Sequence, residues 1–156
     1  TVRGMATSSS PEAITGSQSN SALRNIAMSL EYAFAERQSV GIGAGFEAFP
    51  QEFGRMEQGA YASYAQNPLE PWLAAEYERT LAALLPGSLF LTARIDAGAV
   101  LNIGPMARAS AGLRAHFSPR VGAMVAAEGT MVAYRNETLW LTTKKYGATA
   151  GLFISF

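Results

Sequence analysis

Cysteine is absent from the 156 residues, and histidine occurs once, as His116. No disulfide framework, thiolate chemistry or Cys-based zinc site can be built. One imidazole excludes a multi-histidine metal centre, and no cofactor is expected. Charge is also scarce: Asp, Glu, Lys and Arg make up 15% of the chain, against ~25% in an average soluble domain. Twelve basic and twelve acidic residues cancel, so nothing draws the protein toward nucleic acid, and no nucleic-acid partner is expected. Long apolar runs are missing too. Apolar residues reach 49%, yet no stretch approaches the ~18 residues of a transmembrane helix. Nor does the start read as a signal peptide, because Thr1 opens directly into TVRGMATSSS. The expectation is a mature form, or the C-terminal domain of a longer precursor. With no low-complexity tract or longer repeat, residues 1–156 read as one domain.

What is present is alternation. Between Ala22 and Phe34, Arg24, Ile26, Met28, Leu30, Tyr32 and Phe34 oppose Asn25, Ala27, Ser29, Glu31 and Ala33. A period of two is the mark of a strand with unlike faces. Four residues later Val40, Ile42, Ala44 and Phe46 alternate with Ser39, Gly41, Gly43, Gly45 and Glu47, which makes a hairpin. The same pattern recurs over 89–96, 107–117, 121–128 and 146–156. Two further strands are expected from VRGMATS near the start and from Trp72 to Leu85. The latter is rich in helix formers, but a lone helix there would leave an odd strand count and an open edge.

Eight antiparallel strands follow. Short connections fall at 35–38, 86–88 and 118–120, and long ones at about 7–21, 50–71, 99–105 and 135–138. Tight turns at one end and long loops at the other describe an up-and-down transmembrane β-barrel with its turns in the periplasm. Even-numbered strands then run toward the periplasm, and Phe156 ends there.

The character of the two faces favours a membrane. The polar face is glycine-rich and carries Glu31, Glu47, Arg94, Asp96, Arg108, Arg114 and Glu128. Eight strands leave an interior just wide enough for side chains, so these charges read as a lumen network, with His116 near the rim making up the balance. Tyr32, Phe34, Phe46, Phe117, Trp140, Tyr146 and Phe156 cluster toward strand ends, as interfacial girdles do. A soluble lipocalin-like barrel also alternates, but its wet face would carry more Lys, Glu and Thr. The expected surroundings are therefore a lipid bilayer.

The chain ends in TAGLFISF. This resembles the C-terminal targeting signal of bacterial outer-membrane β-barrels, with Thr149, Gly151, Ile154 and the terminal aromatic Phe156 in the matching places. In pattern the whole chain resembles the small eight-stranded barrels of the OmpA/OmpX type. The resemblance implies an outer-membrane location and recognition by the barrel assembly machinery.

Signs of chemistry are few. Ser110 and His116 share a face, but six residues at ~3.3 Å each put them about 20 Å apart, too far for a nucleophile and its base. Glu31 and Glu47 read as counter-ions to the arginines rather than as an acid–base pair. GIGAG at 41–45 lies inside a strand with no helix behind it, so it is no phosphate loop; its glycines are expected to make room for arginines of neighbouring strands. The loop from Pro50 to Pro71, with Tyr61 and Tyr64, is the candidate surface for envelope partners. A non-enzymatic anchor, structural element or assembly subunit is therefore expected. The alternatives are a narrow pore, a lipid-active enzyme and a soluble binder.

Overall fold

The computed structural model describes residues 2–11, 25–48, 51–57, 60–66, 69–136 and 139–156, with side chains described over 25–48, 69–135 and 140–156. The strands are β1 (Val2–Pro11), β2 (Ile26–Ala35), β3 (Gln38–Ala48), β4 (Gln51–Glu57), β5 (Ala60–Gln66), β6 (Leu69–Leu85), β7 (Leu89–Val100), β8 (Gly104–His116), β9 (Val121–Asn136) and β10 (Leu139–Ile154). Eight of them form a closed barrel in the order β1-β10-β9-β8-β7-β6-β3-β2, and β4 pairs with β5 in a separate two-stranded sheet. Every neighbouring pair in the barrel is antiparallel.

The alternation becomes inside and outside. On β2, Ala27, Ser29 and Glu31 are buried, while Ile26, Met28, Leu30 and Tyr32 are exposed on the outer wall. On β9, Met124, Ala126, Glu128, Thr130 and Val132 point inward, with Val125 and Met131 outside. Outer-wall residues Tyr146 to Ile154 of β10 rise ~3.3 Å each, so at a tilt of ~40° they climb roughly 20 Å, close to the ~25 Å apolar band of a membrane barrel. The aromatic residues expected at strand ends are all exposed. Phe46, Trp140 and Tyr146 stand toward one end, and Tyr32, Phe34, Phe117 and Phe156 toward the other.

Turn chemistry explains the tight end. Gly87 closes the 86–88 turn at φ 74° with no heavy atom within 4 Å of a Cβ placed there, so glycine is needed for conformation alone. The 117–120 turn is held by Ser118 Oγ, which accepts from the backbone N–H of Arg120 (3.3 Å) and Val121 (3.1 Å).

Four expectations need correction. The loop placed at about 7–21 overlaps β1, which runs to Pro11, and the loops placed at 99–105 and 135–138 are shorter: β7 runs to Val100 and β8 starts at Gly104, while β9 reaches Asn136 and β10 begins at Leu139. Inward Thr130 and Val132 continue the alternation past Glu128. The stretch 50–71 is not one long loop, since it contains β4 and β5 and the first residues of β6. Of the strand expected from Ala22, residues 22–24 lie outside the described residues, and β2 is described from Ile26. On β6 the alternation fails at the turn end, where bulges between Thr80 and Ala82 and between Ala83 and Leu85 shift the register against β7. An extra residue on one strand turns the side chains after it, and Leu81, Leu84 and Leu85 are all exposed.

Candidate functional site: a charged interior open at one end

Antiparallel register places inward residues of distant strands at the same height. Near the loop end, Glu47 of β3, 2% exposed, receives Arg108 of β8 and Lys145 of β10. Arg108 Nη2 donates to Glu47 Oε2, and Lys145 Nζ donates to Glu47 Oε1 (2.5 Å) and to the Ala48 carbonyl (2.6 Å). Arg108 Nε also donates to Thr130 Oγ1 (2.9 Å), and the guanidinium carbon lies 4.6 Å from the centroid of the Trp72 ring. A buried carboxylate is tolerable only when such partners replace its water.

The middle layer is built on Glu76. Ser29 Oγ donates to Glu76 Oε1 (2.7 Å), and Arg94 reaches the same oxygen at 3.7 Å while its Nε lies 3.1 Å from Asp96. Glu128 and Asp96 link this layer to Arg108, at 3.8 and 4.0 Å. Nearer the turns, Arg114 Nη1 donates to Glu78 Oε1 (2.8 Å) and lies 3.7 Å from Glu31. Its guanidinium carbon is 4.1 Å from the centroid of the Phe153 ring. His116 stands edge-on between Phe90 (5.5 Å) and Phe153 (4.9 Å).

The ends of the lumen differ. Beside Trp72, Arg108 and Glu47 only about 10 Å³ is left, at the lower limit for one water molecule. Past Arg114 the interior widens into a vestibule of about 370 Å³ that opens between the turns. Small inward residues, Ala33, Ala35, Ser39 and Thr80, line its walls.

The structure places Glu31, Glu47, Arg94, Asp96, Arg108, Arg114 and Glu128 on the inner face. Glu76, Glu78 and Lys145 join them, so among the described residues six buried carboxylates share the space with Arg94, Arg108, Arg114 and Lys145. His116 stands between two aromatic rings, and among the described ion pairs it meets no lumen carboxylate. Glu31 and Glu47 serve separate layers. The GIGAG glycines make room for other residues than arginine: a Cβ on Gly43 would meet the Glu76 carboxylate, and one on Gly45 would sit 3.0 Å from Trp72 Nε1. The signal for Glu76 and Glu78 was present, as Trp72, Ala74, Glu76 and Glu78 alternate with Leu73, Ala75 and Tyr77, but helix formers obscured it. Lys145 would have emerged by extending the last alternation one step upstream.

Of the terminal residues, Thr149 is buried, Gly151 half-buried, Ile154 outward and Phe156 96% exposed. Tyr61 and Tyr64 lie on β5, opposite Met56 and Phe53 in the backbone register, and their side chains are outside the described residues. Ser110 sits opposite Arg94 and Glu128, six residues along β8 from His116 at the turn-end rim. Among the described residues no three His, Asp or Glu side chains are grouped to hold a metal.

Comparison with known proteins gives likeness of fold. No family model and no curated protein matches the sequence. The chain is similar in structure to neisserial surface protein A (NspA), with a TM-score of 0.65 and 12% identity over 99% of this chain and 96% of that one. It is also similar to a designed transmembrane β-barrel, with a TM-score of 0.50 and 10% identity over 99% and 94% of the two chains.

Proposed function

We propose that the protein is a non-enzymatic barrel of the bacterial outer membrane, of the small OmpA/OmpX type. It would act as an anchor, structural element or subunit of an envelope assembly. One observation carries this reading: the barrel is inside out relative to a soluble one, with Glu31, Glu47, Glu76, Glu78, Asp96, Glu128, Arg94, Arg108 and Lys145 buried and Ile, Leu, Val and aromatic residues along the outer wall. In water such a wall would be one large apolar patch, while in lipid it costs nothing. The fold likeness to NspA and to a designed transmembrane barrel agrees with it. The loop end, with the β4–β5 hairpin, would face outward and offer a surface to envelope proteins, and the turn end would face the periplasm. The filled level at Trp72 and Arg108 weighs against the narrow pore.

Ala150 tests the location. It is exposed midway along the outer stretch of β10 between Tyr146 and Ile154. Ala150→Arg should lower stability by about 2–4 kcal/mol when the protein is refolded into phosphatidylcholine vesicles and unfolded with urea. A barrel that stays folded in detergent-free buffer, with no loss on this substitution, would sink the membrane reading.

The terminal residues would be read by the barrel assembly machinery. Phe156 is almost fully exposed and packs against little of the protein, so its deletion should remove only its interfacial anchoring and lower stability in vesicles by no more than about 1 kcal/mol. In cells the same deletion should reduce the amount of inserted, heat-modifiable protein. Unchanged insertion in cells would refute the signal.

A further inference from the structure

The outer wall is uneven. β2 and β3 present Ile26, Met28, Leu30, Tyr32, Val40, Ile42 and Phe46, whereas the register aligns Ala93, Ala111, Ala127 and Ala148 in one row across four strands. The next row is Ile95, Ala109, Gly129 and Tyr146, and above it stand Ala97, Ala107, Met131 and Lys144. The missing side chains leave a groove of about 340 Å³, with Ala107, Ala109 and Gly129 as its floor and Met131, Tyr146 and Lys144 around it. The Tyr146 ring leans over Gly129, where a Cβ would lie 3.4 Å from it. Arg108 and Thr130 reach the groove through their backbone only, because their side chains meet each other inside the barrel.

We propose that this groove seats one lipid with an anionic phosphate headgroup, its acyl chain over Ala107, Ala109 and Gly129 and its phosphate on Lys144. The proposal rests on the membrane reading above. Charge selects the occupant. Lys144 is exposed and, among the described residues, makes no ion pair, while its neighbour Lys145 is buried on Glu47. Among the described residues the outer face of the barrel strands carries no carboxylate that could compete for it; Glu31, Glu47, Glu76, Glu78, Asp96 and Glu128 are buried inside. Height agrees as well. Below Lys144 the outer face of β10 reads Tyr146, Ala148, Ala150, Leu152 and Ile154, and above it Thr142 and Trp140. The ammonium therefore stands where hydrocarbon gives way to headgroups, and Tyr and Trp favour that level. A cation at that level adds roughly 1 kcal/mol of attraction to an anionic lipid surface.

The test is native mass spectrometry of the full chain refolded in a neutral detergent. The probes are dioleoylphosphatidic acid, dioleoylphosphatidylcholine, dioleoylglycerol and inorganic phosphate. One phosphatidic acid should bind about fivefold better than phosphatidylcholine. Lys144→Gln should reduce it to the level of dioleoylglycerol, and Ala109→Leu, which fills the groove from its floor, should weaken all three lipids. Heat-modifiable gel mobility shows that each variant remains folded. Undiminished phosphatidic acid binding by Lys144→Gln would overturn the seat. So would equal competition by inorganic phosphate, or a dimer that Ala109→Leu abolishes in place of lipid binding. A chain that does not fold in detergent at all would instead defeat the membrane reading.

Discussion

Glu47→Ala should cost about 3–5 kcal/mol, the range found when one partner of a buried ion pair is removed and the other is left behind. Two cations lose their anion at once: Arg108 and Lys145 are both buried and both bonded to Glu47. Arg108 cannot turn toward water, because it is held against Trp72 and Thr130 and the space beside it is at the lower limit for one water molecule. The measurement is the urea midpoint in phosphatidylcholine vesicles, read by heat-modifiable mobility. Adding Lys145→Met to Glu47→Ala should recover part of the loss, since it removes one uncompensated charge. A loss below about 1 kcal/mol, the scale of an exposed pair, would mean that water reaches the cluster.

Gly112→Leu should destabilise by about 3 kcal/mol, the upper end of the usual range for overpacking. The position faces inward on β8, directly opposite Ala126 of β9. A Cβ there would collide with the Val125 carbonyl and lie 2.5 Å from Ala126 Cβ. These obstacles belong to the neighbouring strand's backbone and to a methyl fixed on it, so no rotamer change can clear them. The strands would have to part, and the backbone hydrogen bonds so lost have no water in lipid to replace them. Its neighbour is the control. Ala111 is exposed on the outer wall, so Ala111→Leu should be close to neutral. Equal effects at 111 and 112 would show that inside and outside are wrongly assigned.

These two sites show what could be read in advance. The parity of Ala111 and Gly112 is legible in RASAGLRAH, because a period of two separates lipid-facing from inward positions. Glu47 is legible as an inward acid for the same reason. Its partners are not. Lys145 lies 98 residues away and meets Glu47 across the lumen, and that meeting depends on the stagger of strands around the ring, which no local pattern encodes. The interior glycines have the same origin: Gly43 yields space to Glu76 across the β3–β6 joint, a pairing invisible until the register is known. Where the alternation itself breaks, at the bulges near Thr80 and Ala83, the residues offer only Ala and Leu, with no glycine or proline to mark the place.

The joint between β1 and β10 has a consequence for how the barrel forms. It aligns Val2 with Ile154 and Pro11 with Lys145, partners drawn from opposite ends of the chain. Neighbours such as β2 and β3 can pair as soon as both exist, with only Glu36 and Arg37 between them. The β1–β10 joint has no such short link, and the ring as a whole closes only when all eight strands are in place. Until then the sheet has two raw edges, and each bare N–H or C=O left in hydrocarbon costs several kcal/mol. A half-inserted sheet is therefore no resting place. On the membrane reading the strands would gather at the bilayer surface and cross together in one cooperative event.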